Sequence, residues 1–228
     1  MAELSYMKDR EDMSKVAHYM WDRRLTNAAG GNFAVRVDDN RILISPSLMS
    51  ERHFCEMKPE DFLLIDYDMN ILEGTGKLSR EAYMHVLLLK NFKNIGATIH
   101  AHPMYCMVFV AQTKPIPNIT EATMKRGPVE CIPYTQAYTK NLHEEVYKYF
   151  DARRELAEKY PIGAIMPLHG VLFLDLTFSW HTVCLRELKQ MLSATSLKIT
   201  LKTSDLVLNM IGEATHVCLR SAHTYDPF

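Results

Sequence analysis

The chain carries almost no excess charge. Its 26 Lys and Arg are met by 27 Asp and Glu, leaving a net charge of −1 over 228 residues, and no long run of one sign occurs. Nucleic acid and anionic membrane surfaces are bound through concentrated positive charge, so neither is expected as a partner. No apolar stretch is long enough to span a bilayer. The five cysteines (Cys55, Cys106, Cys131, Cys184, Cys218) are odd in number, scattered and never spaced Cys-x-x-Cys. That pattern excludes a disulfide scaffold and suggests a reduced, cytoplasmic setting. The segment Met1–Asp9 carries acid early and has no apolar centre, so it does not read as a signal peptide. Repeats, low-complexity tracts and linkers are missing, and one domain over residues 1–228 is expected. Gly74-Thr-Gly76 lacks the third glycine of a dinucleotide fingerprint, and neither a P-loop nor a Gly-x-Ser-x-Gly elbow is found.

What remains is an ordinary globular composition, 47% hydrophobic, with readable periodicity. Met13, Val16, Ala17, Met20 and Trp21 recur at helical spacing over Asp12–Arg24. Phe33–Val37 and Ile42–Ser45 read as strands around an Asp38-Asp39-Asn40 turn, and Phe62–Asp66 as a third strand. The polar run from Ser50 to Glu56 reads as loop. Ser79 suits a helix N-cap, predicting a helix to about Phe92. Gly96–His100 is expected as a buried strand, with Pro103 in the first turn of the helix that follows. Val129–Ile132 predicts a strand. An amphipathic helix is expected over Asn141–Lys159, with Leu142, Val146, Tyr149, Phe150 and Leu156 facing inward. Ala164–Met166 and Val171–Leu176 predict strands, and Thr177–Leu197 a last helix. Hairpins mixed with helices point to a mixed or antiparallel sheet with helical cover rather than strict βαβ alternation.

The chemistry concentrates in three places. His100 and His102 are two residues apart at a strand end, so both imidazoles leave one face. With His169 as a third ligand they make a catalytic-zinc set, which takes three protein ligands and one open position. Taken alone, His169 reads equally as a turn histidine. Glu81, in the first turn of the preceding helix, can serve as a proton acceptor near such a metal; alone it reads as an acid complementing the helix dipole. Asn32 after paired glycines, Ser45, Ser47 and Ser79 are neutral donors that suit an anion, and Arg80 adds a positive charge. His85, four residues after Glu81, either orients that carboxylate or packs.

In chain order, Gly30-Gly31-Asn32, Ile44-Ser45-Pro46-Ser47, Ser79-Arg80-Glu81, His100-Ala101-His102 and His169-Gly170 resemble the class II aldolase/adducin family, over about residues 10 to 200. The resemblance implies an α/β fold with a central, mainly antiparallel mixed sheet covered by helices. It also implies a homotetramer with sites between subunits. Zn2+ or another divalent ion would sit on His100, His102 and His169. Glu81 would be the catalytic carboxylate, and phosphate would meet Asn32, Ser47 and Ser79 beside Arg80. The implied activity is a zinc-dependent lyase acting on a small sugar phosphate. It would cleave a ketose 1-phosphate of the L-fuculose 1-phosphate type to dihydroxyacetone phosphate and a short aldehyde through a metal-stabilised enediolate. The same scaffold also hosts decarboxylases of 3-oxo acid phosphates, a pentulose-phosphate epimerase, a dehydratase and noncatalytic adducin-like modules, which stand as alternatives.

The chain departs from the aldolase pattern twice. Leu48 stands where those enzymes carry glycine, and Arg80 where they carry a small hydroxyl residue. The tyrosine that serves the family as an acid from a neighbouring subunit has no clear match. Glu121 lies near that place and Tyr225 is a second candidate.

Overall fold

The computed structural model describes residues 4–118 and 121–177. Within them, β1 (Asn32–Arg36), β2 (Arg41–Ile44), β3 (Leu63–Asp66), β4 (Ile71–Glu73), β5 (Ala97–Ala101), β6 (Glu130–Cys131), β7 (Ile162–Met166) and β8 (Gly170–Asp175) build one sheet. Its order is β4-β3-β2-β1-β5-β8-β7-β6. Every neighbouring pair is antiparallel except β6–β7. Helices α1 (Met7–Asp22), α2 (Met49–His53), α3 (Ala82–Asn91), α4 (Cys106–Gln112), α5 (Glu121–Met124), α6 (Lys140–Asp151) and α7 (Arg154–Ala157) surround it. This is the α/β architecture expected, a mixed and mainly antiparallel sheet covered by helices.

Side chains alternate across a strand, so each strand feeds two cores. Phe33, Val35, Ile99, Val171 and Phe173 pack with Met13, Val16 and Met20 of α1 and with Phe109 and Val110 of α4. Ala34, Ile42, Ile44, Ala164, Leu172 and Leu174 pack with Val86 and Leu89 of α3 and with Leu142, Val146 and Phe150 of α6. Each of those large α6 side chains contributes roughly 1.5–3 kcal/mol by leaving water. In β5 the alternation sends Ile99 to the first core and leaves Thr98 and His100 on the α3 side. The β1–β5 register sets Asn32 directly opposite His100.

Several boundaries differ from expectation. The helix expected from Ser79 begins at Ala82, with Glu81 at its N-cap. Ser79 does not cap it, because its Oγ accepts the Glu81 N–H at 3.2 Å in the preceding turn. The helix expected over Asn141–Lys159 is broken into α6 and α7, where Arg153 adopts φ −120° and ψ 23°. Pro103 lies before α4 and accepts the Met107 N–H at 3.1 Å. The run from Ser50 to Glu56, read as loop, contains most of α2, a five-residue helix. β4, α5 and a short 3-10 turn at Pro59–Asp61 were not expected; β4 is an edge strand whose Ile71 and Leu72 are exposed. The helix expected over Thr177–Leu197, and Tyr225, fall outside the described residues apart from Thr177.

A backbone bridge joins the end of β2 to the segment entering α3. Pro46 lies opposite Leu78 in an antiparallel bridge; proline has no N–H, and the neighbouring Ser47 N–H makes the bond, donating to the Lys77 carbonyl at 2.8 Å. It holds the Ser47 turn against the Ser79–Glu81 turn.

Candidate active site

His100 leaves β5, His102 follows the end of that strand, and His169 sits in the turn between β7 and β8. One ring nitrogen from each lies within 4.8 Å of the others. The β5–β8 pairing makes this possible by placing Ala101 opposite Val171. Gly170 completes the approach. A Cβ there would stand 2.6 Å from His102 Cδ2 and 2.7 Å from His100 Cε1, nearer than carbon atoms pack.

Each strand histidine is pinned by its other nitrogen. His100 Nδ1 lies 3.0 Å from the Val171 carbonyl, and His102 Nδ1 lies 3.2 Å from Asn27 Oδ1. Both partners are acceptors, so both rings carry hydrogen on Nδ1 and present a lone pair at Nε2. Burial, reinforced at His102 by the neighbouring imidazoles, pushes both rings below their usual range, His102 to about 3. They are neutral, as ligation requires.

Glu81 closes the cluster. It is 2% exposed, with Oε1 3.1 Å from His169 Nε2 and Oε2 3.4 Å from His100 Nε2. Burial pushes its carboxyl up, but positive charge facing it at the His100 and His169 positions, with the hydrogen bonds from His169 and the Asn32 amide, holds it well below the usual carboxylate range; with His100 neutral, a cation held by the imidazoles would supply that charge. It is therefore a carboxylate, suited to accept a proton.

The donor set fits a divalent cation on two counts. Neutral His100 turns a lone pair toward a carboxylate oxygen, two acceptors face to face, which a bound cation makes favourable. In addition, His102 Nε2 and His169 Nδ1 are buried without a hydrogen-bond partner, each such orphan costing about 1–3 kcal/mol. Neutral imidazole with carboxylate nearby suits zinc and other borderline divalent ions.

The cavity over this cluster is lined by Gly30, Gly31, Asn32, Ser47, Leu48, Glu51, Ser79, Arg80, Glu81, His100, His102, Tyr138 and His169. Asn32, Ser47, Ser79, Arg80, Glu81, His100, His102 and His169, all singled out from the sequence, thus converge. Glu121 does not line this cavity; it is exposed on α5. Ser45 is fully buried and accepts the Phe33 N–H at 3.0 Å, so it braces β1 against β2. Ser79 Oγ accepts from the Glu81 N–H and from Asn32 Nδ2, which leaves its own hydroxyl hydrogen to donate. Asn32 Nδ2 also donates to Glu81 Oε2 at 2.8 Å. Leu48 keeps a left-handed backbone, φ 66°, the region where glycine is at ease.

Sequence reasoning missed three participants. Asn27 holds His102, and its place before paired glycines was the available signal. Tyr138 stacks under the Arg80 guanidinium at 3.6 Å and stands 5.8 Å from the His169 ring; no local pattern marks it. Glu51 sits in the run read as loop.

No helix among the described residues is long and apolar enough to cross a membrane. The L-fuculose phosphate aldolase of Methanococcus maripaludis is 29% identical over 187 residues, covering 80% of this chain and 95% of that protein. The 3-oxo-tetronate 4-phosphate decarboxylase of Haemophilus influenzae is 28% identical over 146 residues, 61% of this chain and 68% of that one. Among solved structures, an L-fuculose 1-phosphate aldolase matches with a TM-score of 0.69 at 24% identity, over 88% of this chain and 89% of the other, a likeness of fold. A family model described as the class II aldolase and adducin N-terminal domain matches residues 11–184. The chain belongs to the class II aldolase and adducin family.

Proposed function

We propose that this protein is a metal-dependent aldolase acting on a ketose 1-phosphate resembling L-fuculose 1-phosphate, and that His100, His102 and His169 hold Zn2+. The observation that supports it most is one buried carboxylate in contact with two of three imidazoles whose ring nitrogens converge. A divalent ion on that cluster supplies Lewis-acid polarisation of the carbonyl and adjacent hydroxyl oxygens of the sugar.

The chain's own residues do the rest. Ser47 and Ser79 offer hydroxyl donors to the phosphate, and Arg80 lends charge at the mouth. Asn32 lies beside them, yet its amide reaches phosphate only by leaving Ser79 or Glu81. In cleavage the bond between the third and fourth carbons breaks, the fourth-carbon hydroxyl loses its proton to a second group, and Glu81, having first taken up a proton from solvent, delivers it to the third carbon. In condensation Glu81 removes that proton, which its ionised state favours. A second group must exchange the proton on the aldehyde oxygen. We assign it to Glu121 of a neighbouring copy, in a homotetramer whose sites lie between subunits, with the four copies acting in the cytoplasm as single domains.

A second reading is decarboxylation of a 3-oxo acid phosphate. Arg80 favours it, because a guanidinium suits a carboxylate by bidentate pairing, and Arg80 enters no ion pair with a described acid. A panel of ketose phosphates and 3-oxo acid phosphates, assayed with Zn2+ and again after chelation, separates the two by aldehyde or carbon dioxide release. Glu81→Gln should keep its zinc and lose carbon–carbon cleavage. Full cleavage by that variant would overturn the assignment.

A further inference from the structure

We infer that His85 and Thr98 are positioning residues of this site, acting through Asn32 on the orientation of Glu81. The inference rests on the reading of Glu81 as the proton-exchanging group. His85 lies one turn beyond Glu81 on α3, but its contacts run elsewhere. Its Nε2 lies 2.5 Å from Asn32 Oδ1 and its Nδ1 lies 2.7 Å from Thr98 Oγ1. His85 and Thr98 are both fully buried. Asn32 on β1 and Thr98 on β5 face α3 from adjacent strands and bracket the ring between them.

The direction of every bond in this chain follows from its acidic end. An ionised carboxylate only accepts, so the Asn32 amide turns Nδ2 toward Glu81 Oε2, where it donates at 2.8 Å. Its Oδ1 is thereby turned to His85. A carbonyl oxygen also only accepts, so the His85 proton sits on Nε2. Nδ1 is then a bare lone pair, and the Thr98 hydroxyl donates into it. Reversing any one bond sets two acceptors or two donors against each other at the next. Thr98 therefore selects the His85 tautomer, the tautomer selects the amide face, and the amide face determines whether Glu81 meets a donor or an acceptor. Burial holds the ring neutral, at a pKa of about 3, so no second proton blurs this order. Without the chain, the Asn32 amide is free to present oxygen to Glu81, which repels the carboxylate and displaces it from the imidazoles.

The test uses the full-length protein loaded with Zn2+. Long-range proton–nitrogen NMR correlations of the histidine rings should show His85 protonated at Nε2. Thr98→Val, nearly isosteric, should lower kcat for carbon–carbon cleavage about ten-fold with KM and zinc stoichiometry unchanged, within the range seen when partners of ligating groups are removed. His85→Leu should lose about ten- to a hundred-fold in kcat, and His85→Gln, which keeps an N–H donor toward Asn32, should recover most of it. A ring protonated at Nδ1 in the unaltered protein would overturn the inference, as would Thr98→Val with unchanged kcat. If His85→Leu does not fold, the Thr98→Val kinetics and the tautomer spectrum still decide. If the unaltered protein cleaves no ketose phosphate, the aldolase reading fails, and the tautomer spectrum alone judges the hydrogen-bond chain.

Discussion

Gly170 touches His102 with no room for a side chain: a Cβ would stand 2.6 Å from the ring carbon Cδ2, with the Ala101 carbonyl 3.0 Å away on another side. Gly170→Ala must therefore displace the imidazoles or separate β5 from β8. Zinc affinity should fall at least about ten-fold, as for other perturbations of ligand orientation. A competition titration with a chromophoric chelator measures it; unchanged affinity would show that the rings do not converge as described.

Asn27 orients His102 by accepting from Nδ1 at 3.2 Å, and it also accepts the Ala29 N–H at 2.9 Å. Asn27→Leu removes both bonds. Zinc binding should weaken about ten- to a hundred-fold, while Asn27→Asp, which keeps an acceptor, should stay close to the unaltered protein. Equal losses in both variants would argue against an orienting role.

Leu48 holds φ 66° at the N-terminus of α2. A non-glycine residue there carries roughly 1–2 kcal/mol of steric penalty, partly offset by the roughly 0.5–1 kcal/mol of chain entropy that glycine loses on folding. Leu48→Gly should raise stability by about 0.5–1 kcal/mol, read from the shift in urea midpoint. A midpoint that falls instead would mean that the leucine side chain contributes more by contact than its backbone conformation costs.

Asp38 sits in the β1–β2 turn. Partial burial pushes its carboxyl up, but donation from Tyr6 at 2.5 Å, from the Asn40 and Arg41 amides and from the Arg41 guanidinium brings it down to about 2. A depressed carboxyl adds stability that is complete above its ordinary pKa near 3.8 and vanishes as pH falls through the folded value. Stability should thus decline between about pH 4 and 2, and Asp38→Asn should flatten that part of the curve. Denaturant titrations at stepped pH values test this; parallel curves for the two proteins would rule Asp38 out as a source of the decline.

Much of the site was legible because its chemistry is local. His100 and His102 share a face by strand geometry, and the glycine after His169 signals close approach to a ring. Paired glycines before Asn32 mark a tight turn. What was hidden depends on pairing between distant segments. The β1–β5 register that sets Asn32 opposite His100 has no sequence signature, since two short buried strands can pair in more than one offset. Nor could the sequence show that the Asn32 amide is occupied by Glu81 and His85. Tyr138 reaches the site through a left-handed turn, φ 63°, at the end of an irregular segment. β4 and α2 escaped notice because three and five residues are too few for a period to register.

The backbone bridge between the Ser47 turn and the Ser79–Glu81 turn has a consequence for substrate choice. In the proposed reaction it acts as a caliper, keeping the anion-gripping hydroxyls at a set span from the carboxylate that exchanges a proton with carbon. Chain length between phosphate and reacting carbon is then metered by main-chain pairing rather than by the side chains that line the cavity.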